Sequence, residues 1–211
     1  KEYAATFYYN NQDAEQPQEP FAEYKKAGEM LTSEEAPAPN VPPNMKFGGW
    51  HLDQDGDHKF SKGDLDFNQL LMGETDIGIV ANWVFSDDAT LRSLTLTDPD
   101  GNPLPLCASN YTSARPFDPA VEQYYVRVGT DVSSVHLSVE PAMSGAAVQL
   151  GKGTRPSTEQ DFDLAPAVDG SANELTIRLT APDGLTKKTY TVAVQRLVIP
   201  SITLSYGNSP Y

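Results

Sequence analysis

Ile77-Gly78-Ile79-Val80-Ala81-Asn82-Trp83-Val84-Phe85 holds one polar side chain, no proline and a majority of β-branched and aromatic residues. A run of this kind reads as a strand buried on both faces, and it sets an all-β frame for what precedes it. Lys46 to Leu52, containing Phe47-Gly48-Gly49-Trp50, reads as a second strand. Tyr3 to Asn10 reads as another, ended by the turn-prone cluster Asn10-Asn11-Gln12-Asp13. Between them, Phe21 to Leu31 has mixed signals, and Gly28 cuts its only helix-like stretch. Ala36-Pro37-Ala38-Pro39-Asn40-Val41-Pro42-Pro43 cannot sit inside a helix, so it is expected to run extended as a tight crossing within the module.

After Phe85 the pattern changes. Leu91, Leu94 and Leu96 stand among Ser and Thr, and Asp98-Pro99-Asp100-Gly101-Asn102-Pro103 makes a turn. Period-2 runs follow at Tyr124–Val128, Val135–Val139, Ala147–Leu150, Leu175–Leu179 and Tyr190–Val194. Short strands at this spacing predict a β-sandwich. The boundary between the two patterns falls near Ser86-Asp87-Asp88, giving domains at 1–86 and 87–198. Pro200 to Tyr211 reads as a strand and a turn-prone tail, either a linker or the first strand of a further module.

Composition limits function. The 211 residues include 17 prolines and 15 glycines and no long apolar segment, which excludes a membrane-spanning helix. A net charge of −14 repels phosphate backbones and anionic lipid surfaces, so nucleic acid and membrane insertion are both excluded as partners. Residues 1–86 carry 6 basic and 15 acidic side chains, which makes the first half the better place for a cation. The single cysteine, Cys107, permits no internal disulfide and has no zinc or redox partner; it reads as a small buried hydrophobe. A chain that begins at Lys1 in mid-pattern looks like a monomeric fragment excised from a longer protein.

The first half resembles the internalin-type B-repeat, or Listeria–Bacteroides repeat, a small β-grasp-like module of secreted bacterial proteins. The resemblance covers about residues 3–85 and rests on Thr6-Phe7-Tyr8-Tyr9-Asn10, Gly28-Glu29, Phe47-Gly48-Gly49-Trp50 and Ile79-Val80-Ala81-Asn82-Trp83. It departs from many repeats in the long acidic insert from Asp53 to Asp66. The second half resembles the cadherin-like β-sandwich of bacterial surface proteins. That resemblance rests on Ala89 to Leu96, on Phe117-Asp118-Pro119 leading into Tyr124-Tyr125-Val126-Arg127-Val128, and on Ala181-Pro182-Asp183-Gly184 followed by Lys188 to Arg196. Gly184 stands where such a turn needs positive φ, and Tyr190, Val192 and Val194 share one strand face. Together the resemblances imply an extracellular protein, secreted or attached to a bacterial cell wall, with neither module catalytic itself.

The acidic insert carries the sharpest chemistry. With Asp53 as position 1 of a twelve-residue loop, Asp55 falls at 3, Asp57 at 5, the Lys59 carbonyl at 7, Ser61 at 9 and Asp64 at 12. Phe60 takes the apolar eighth position. This resembles an EF-hand or dockerin loop, whose oxygen ligands wrap Ca²⁺. Two features depart from that pattern: His58 holds position 6 in place of Gly, and Asp64 is shorter than the usual bidentate Glu. The competing reading is a solvated acidic loop with no ion. No other cofactor is implied.

Trp50 and Trp83 suggest sugar platforms, but their fixed places in an apolar frame favour core packing. His51, His58 and His136 are scattered without metal-ligand spacing. Neither Gly-x-Ser-x-Gly nor a phosphate-cradling loop occurs, and Asp161-Phe162-Asp163 falls in a polar stretch between strands with nothing to tune its acidity. The sequence thus predicts a mostly β protein, a β-grasp-like repeat followed by an immunoglobulin-like, cadherin-like sandwich. Its expected role is non-catalytic, spacing or presenting a surface to a host or neighbouring-cell protein or glycan. The alternative is an accessory carbohydrate-binding region of a multidomain extracellular enzyme.

Overall fold

The computed structural model describes residues 1–109, 111–167 and 170–198. The strand expected after Pro200 lies outside the described residues. The chain forms two compact units. One comprises Lys1–Asp88 with the short segments Met143–Ala146 and Ala181–Thr186; the other comprises Ala89–Ala142, Ala147–Thr180 and, of the described residues that follow, 187–198. Apart from a single 3₁₀ turn at Ser33–Glu35, the regular structure of the described residues is β throughout, as the sequence pattern predicts.

The first unit places β1 (Glu2–Tyr8), β2 (Phe21–Lys26), β4 (Met45–Leu52), β5 (Leu65–Phe67) and β7 (Ile77–Phe85) in one sheet, in the order β2-β1-β7-β4-β5. Strand β7 matches the apolar run and occupies the centre, with β1 parallel on one side and β4 antiparallel on the other. The outer positions are filled by antiparallel neighbours, which gives a β-grasp-like strand order with no α-helix among the described residues. A small pair, β3 (Met30–Thr32) with β6 (Gln69–Leu71), lies outside this sheet. Strands β2 and β3 fall in the stretch with mixed sequence signals; β2 alternates half-buried and exposed residues, so it has no fully apolar face to announce it.

The core of this unit is aromatic. Trp50 is buried and meets Phe7, Tyr9 and Phe47 edge-on, with ring centroids 5.2, 5.3 and 5.3 Å away. Trp83 is half-buried, packs against Phe47 at 5.6 Å and donates its indole N–H to the Tyr9 carbonyl at 2.7 Å. Trp50 is therefore a core residue, and Trp83 is anchored to the core at its edge. One extra residue in β4 makes this packing possible. Phe47 pairs with Trp83 and Trp50 with Ala81, so Gly48 and Gly49 form a bulge that keeps both aromatic side chains on the core face. Gly49 has φ +111°, a conformation that a side chain would strain. The proline-rich crossing is tied down: the Tyr9 hydroxyl donates to the Pro37 carbonyl at 3.1 Å and the Asn11 amide to the Asn40 carbonyl at 2.9 Å.

The second unit is a two-sheet sandwich. One sheet contains β8 (Leu91–Thr97), β10 (Ser134–Pro141) and β12 (Glu159–Asp163) in the order β12-β10-β8. The other contains β9 (Gln123–Val128), β11 (Ala147–Leu150), β13 (Asn173–Thr180) and β14 (Lys187–Arg196) in the order β11-β13-β14-β9. The uneven step from Leu91 to Leu94 is absorbed by a bulge, where Glu140 faces Ser93 and Pro141 faces Leu91, so both leucines point inward. Asp161-Phe162-Asp163 corrects the sequence reading: it belongs to the edge strand β12, with Asp161 2.7 Å from His136 Nδ1 on β10. Cys107 is buried, as its reading requires.

The Phe117-Asp118-Pro119 signature forms a knot around two buried tyrosines. The Phe117 ring packs on Tyr124 and Tyr190, at 5.7 and 6.0 Å. The Tyr190 hydroxyl donates to the Pro119 carbonyl at 2.8 Å, and the Tyr124 hydroxyl donates to the Asp118 carbonyl at 2.9 Å. Large rings thus enter the core with their polar tips satisfied. At the β13–β14 turn Gly184 has φ +71°, as the signature predicts, and the Asp183 carboxylate accepts the amides of Leu185 and Thr186. We expect Tyr190→Phe to destabilise the sandwich by about 1 kcal/mol, the net worth of one buried hydrogen bond, in urea unfolding followed by circular dichroism. An unchanged midpoint would show that this hydroxyl does not help to hold the knot.

Candidate cation-binding loop

Strand β4 ends at Leu52, and the chain from Asp53 to Asp64 folds back over the first unit's sheet before β5 begins. Three contacts hold it there. The His58 ring stacks on Tyr8 of β1, with centroids 4.1 Å apart and planes 10° from parallel. The Phe60 ring meets His51 of β4 edge-on at 4.7 Å. The Asn10 side chain donates to the His58 carbonyl at 2.9 Å. These partners lie far away in sequence, so the seating of the loop has no local sequence signal.

Asp53 is the pivot. Its side chain is 1% exposed. Its amide donates to the Gly78 carbonyl of β7 at 3.0 Å. A Cβ at residue 78 would lie 2.9 Å from its Oδ2, so only glycine leaves room for the carboxylate. Oδ1 accepts the Gly56 amide at 2.8 Å, while Oδ2 accepts the His58 amide at 3.0 Å and stands 3.0 Å from His58 Nδ1. Burial pushes the Asp53 carboxyl pKa up, but these hydrogen bonds outweigh it and hold the group below its ordinary value. His58 sits at φ +62°, so the left-handed turn that glycine usually supplies at this position is made by a histidine. Histidine enters this region more readily than most residues, and here the Asp53 bonds and the Tyr8 stack hold it.

The six residues of the twelve-position pattern divide into two groups. Asp53, Asp55 and Asp57 come together, with one carboxylate oxygen from each within 4.8 Å of the others. That spacing suits Ca²⁺, whose oxygen ligands lie about 2.3–2.6 Å from the ion, and three carboxylates are the donor class it prefers. Asp64 does not join them. It is buried, and its two oxygens accept the amides of Gln54 at 3.0 Å and Ser61 at 2.7 Å, so it clasps the two ends of the loop. The Asp64 amide donates in turn to the Ser61 carbonyl at 3.1 Å, and the Lys59 amide donates to Asp57 at 2.8 Å. Ser61 and Lys59 therefore serve as loop framework in the contacts they make here. The cluster opens on a depression of about 710 Å³ lined by Thr6, Tyr8, Asp53, Asp55, His58 and Gly78, among others.

Among the histidines, His51 is a buried residue of β4 and His136 a half-buried one on β10. His58 takes a positional role at the loop that spacing alone did not reveal.

Comparison with known proteins locates the second unit. The family model of the cadherin-like beta sandwich domain matches residues 91–197, just over half of the chain and spanning β8 to β14. The chain belongs to that family. Domains of this kind are typical of extracellular proteins and of structural, adhesion-type modules. No curated protein sequence matches the chain. No helix among the described residues is long and apolar enough to cross a membrane.

The division of labour in the loop is testable without metal. In chelated buffer, Asp64→Ala should lower the stability of the first unit by about 2 kcal/mol, because it leaves two amides without their charged acceptor. Exposed Asp55 should tolerate Ala with little change. Equal losses in urea unfolding would contradict the distinction between clasp and ligand.

Proposed function

We propose that this chain is a non-catalytic module pair from a larger bacterial surface or secreted protein. In this reading residues 1–86 form a B-repeat-like β-grasp module and 87–198 the cadherin-like sandwich, and the pair spaces the parent protein's parts or presents a surface to a host or neighbouring-cell protein or glycan. The cadherin-like family of the sandwich is the observation that carries the proposal. The β-grasp strand order of the first unit supports the B-repeat reading, because the quoted frame of Phe47 to Trp50 and Ile79 to Trp83 falls on its two central antiparallel neighbours. A carbohydrate-binding role loses one of its two platforms, since Trp50 is buried in the core. Intact cells producing the parent protein should be labelled by antibody raised against the fragment, and brief protease treatment should release its peptides. Signal only after lysis would overturn the proposed location.

Within this reading, Asp53, Asp55 and Asp57 hold Ca²⁺, with the ion relieving repulsion among three close carboxylates. Asp53 would be shared between the ion and its amide donors, and Asp64 would keep the loop closed around it. Ligation that favours the folded loop raises the melting temperature by mass action. Millimolar CaCl₂ should therefore raise the melting temperature of the wild-type chain and not that of Asp55→Ala. Identical scans with CaCl₂ and with chelator would remove the ion from the account and leave a solvated loop.

A further inference from the structure

We infer that the first unit is built to carry tension along the chain, a mechanical role that goes beyond spacing and rests on strand direction. The strands of this unit begin with β1 and end with β7, and these two are hydrogen-bonded neighbours running parallel. Ala5 pairs with Ile77, Thr6 with Gly78, Phe7 with Ile79 and Tyr8 with Val80. In a parallel pair the entry end of one strand and the exit end of the other lie at opposite ends of the ladder. A pull on the chain from both sides therefore slides β1 and β7 past one another and strains all their cross-strand bonds together. A hairpin behaves differently: its two free ends lie side by side, and a pull on them opens one bond at a time.

Three further features favour resistance. The pair lies at the centre of the sheet, flanked by β2 and β4, so neither strand leaves by peeling from an edge. Its core face is dry: Ala5, Phe7 and Ile79 are each 0% exposed, which keeps water from stretched bonds on that side. Sliding also drags Phe7 past Trp50, 5.2 Å away in an edge-on contact. The sandwich repeats the device. Its exit strand β14 is parallel to β9 over six pairs, from Gln123 with Thr191 to Val128 with Arg196. Once β8 has yielded, the next strand a pull reaches is β9, and that pull shears β9 against β14.

Single-molecule stretching of the full chain between chosen residues tests this without altering the core. Handles are placed at exposed sites through Glu2→Cys with Phe85→Cys, which loads β1 against β7. A second chain carries Glu2→Cys with Lys26→Cys, which loads the β1–β2 hairpin at its open end, where Glu2 pairs with Lys26. Equal melting temperatures confirm that both variants fold alike. The expected result is a rupture force severalfold higher for the 2/85 chain. Equal forces, or a lower force for 2/85, would overturn the inference while leaving the proposed surface location untouched.

Discussion

Each unit depends on one parallel strand pair that joins distant parts of its sequence. Parallel neighbours cannot be joined by a tight turn, so β1 and β7 enclose almost the whole first unit between them, and β9 and β14 enclose most of the sandwich. Closing such long loops costs entropy before any contact repays it. That cost is offset by burial concentrated at the same strands: Phe7 and Ile79 in one unit, and Tyr124, Val126, Tyr190, Val192 and Val194 in the other, are all fully buried. In the two sheets that contain these pairs, the adjoining strands add antiparallel, β2 and β4 in one and β13 in the other.

The acidic loop shows how such a frame positions chemistry. Asp53 is fixed by strand β7 through Gly78, His58 by strand β1 through Tyr8, and Phe60 by strand β4 through His51. The loop thus borrows its order from three strands of the sheet. What remains exposed is the pair Asp55 and Asp57, held beside a buried third carboxylate. Amide donors and a histidine thus keep the Asp53 carboxylate charged at low solvent exposure.

Much of the architecture was legible from residues alone. Strand β7 was readable because its centre, Ile79 to Ala81, is buried on both faces, and β8 and β11 because their buried positions recur along a strand flanked by turns. Strands β2, β5 and β12 were not, because short or edge strands expose alternate residues and resemble loop sequence. The parallel pairings left no local trace, since strand direction is decided by tertiary closure. At the loop, the spacing of Asp53, Asp55 and Asp57 foretold their meeting, whereas the clasp made by Asp64 did not follow from spacing. Its two oxygens are engaged by amides at both ends of the loop, a geometry that exists only once the chain has folded back.

Native-state hydrogen exchange resolved by residue tests most directly whether the parallel pairs hold the units together. Amides in the β1–β7 and β9–β14 ladders are expected to exchange slowest in their units, opening only with global unfolding. Slowest exchange in a flanking pair such as β4–β5 or β10–β12, with β1–β7 or β9–β14 opening earlier, would contradict the account.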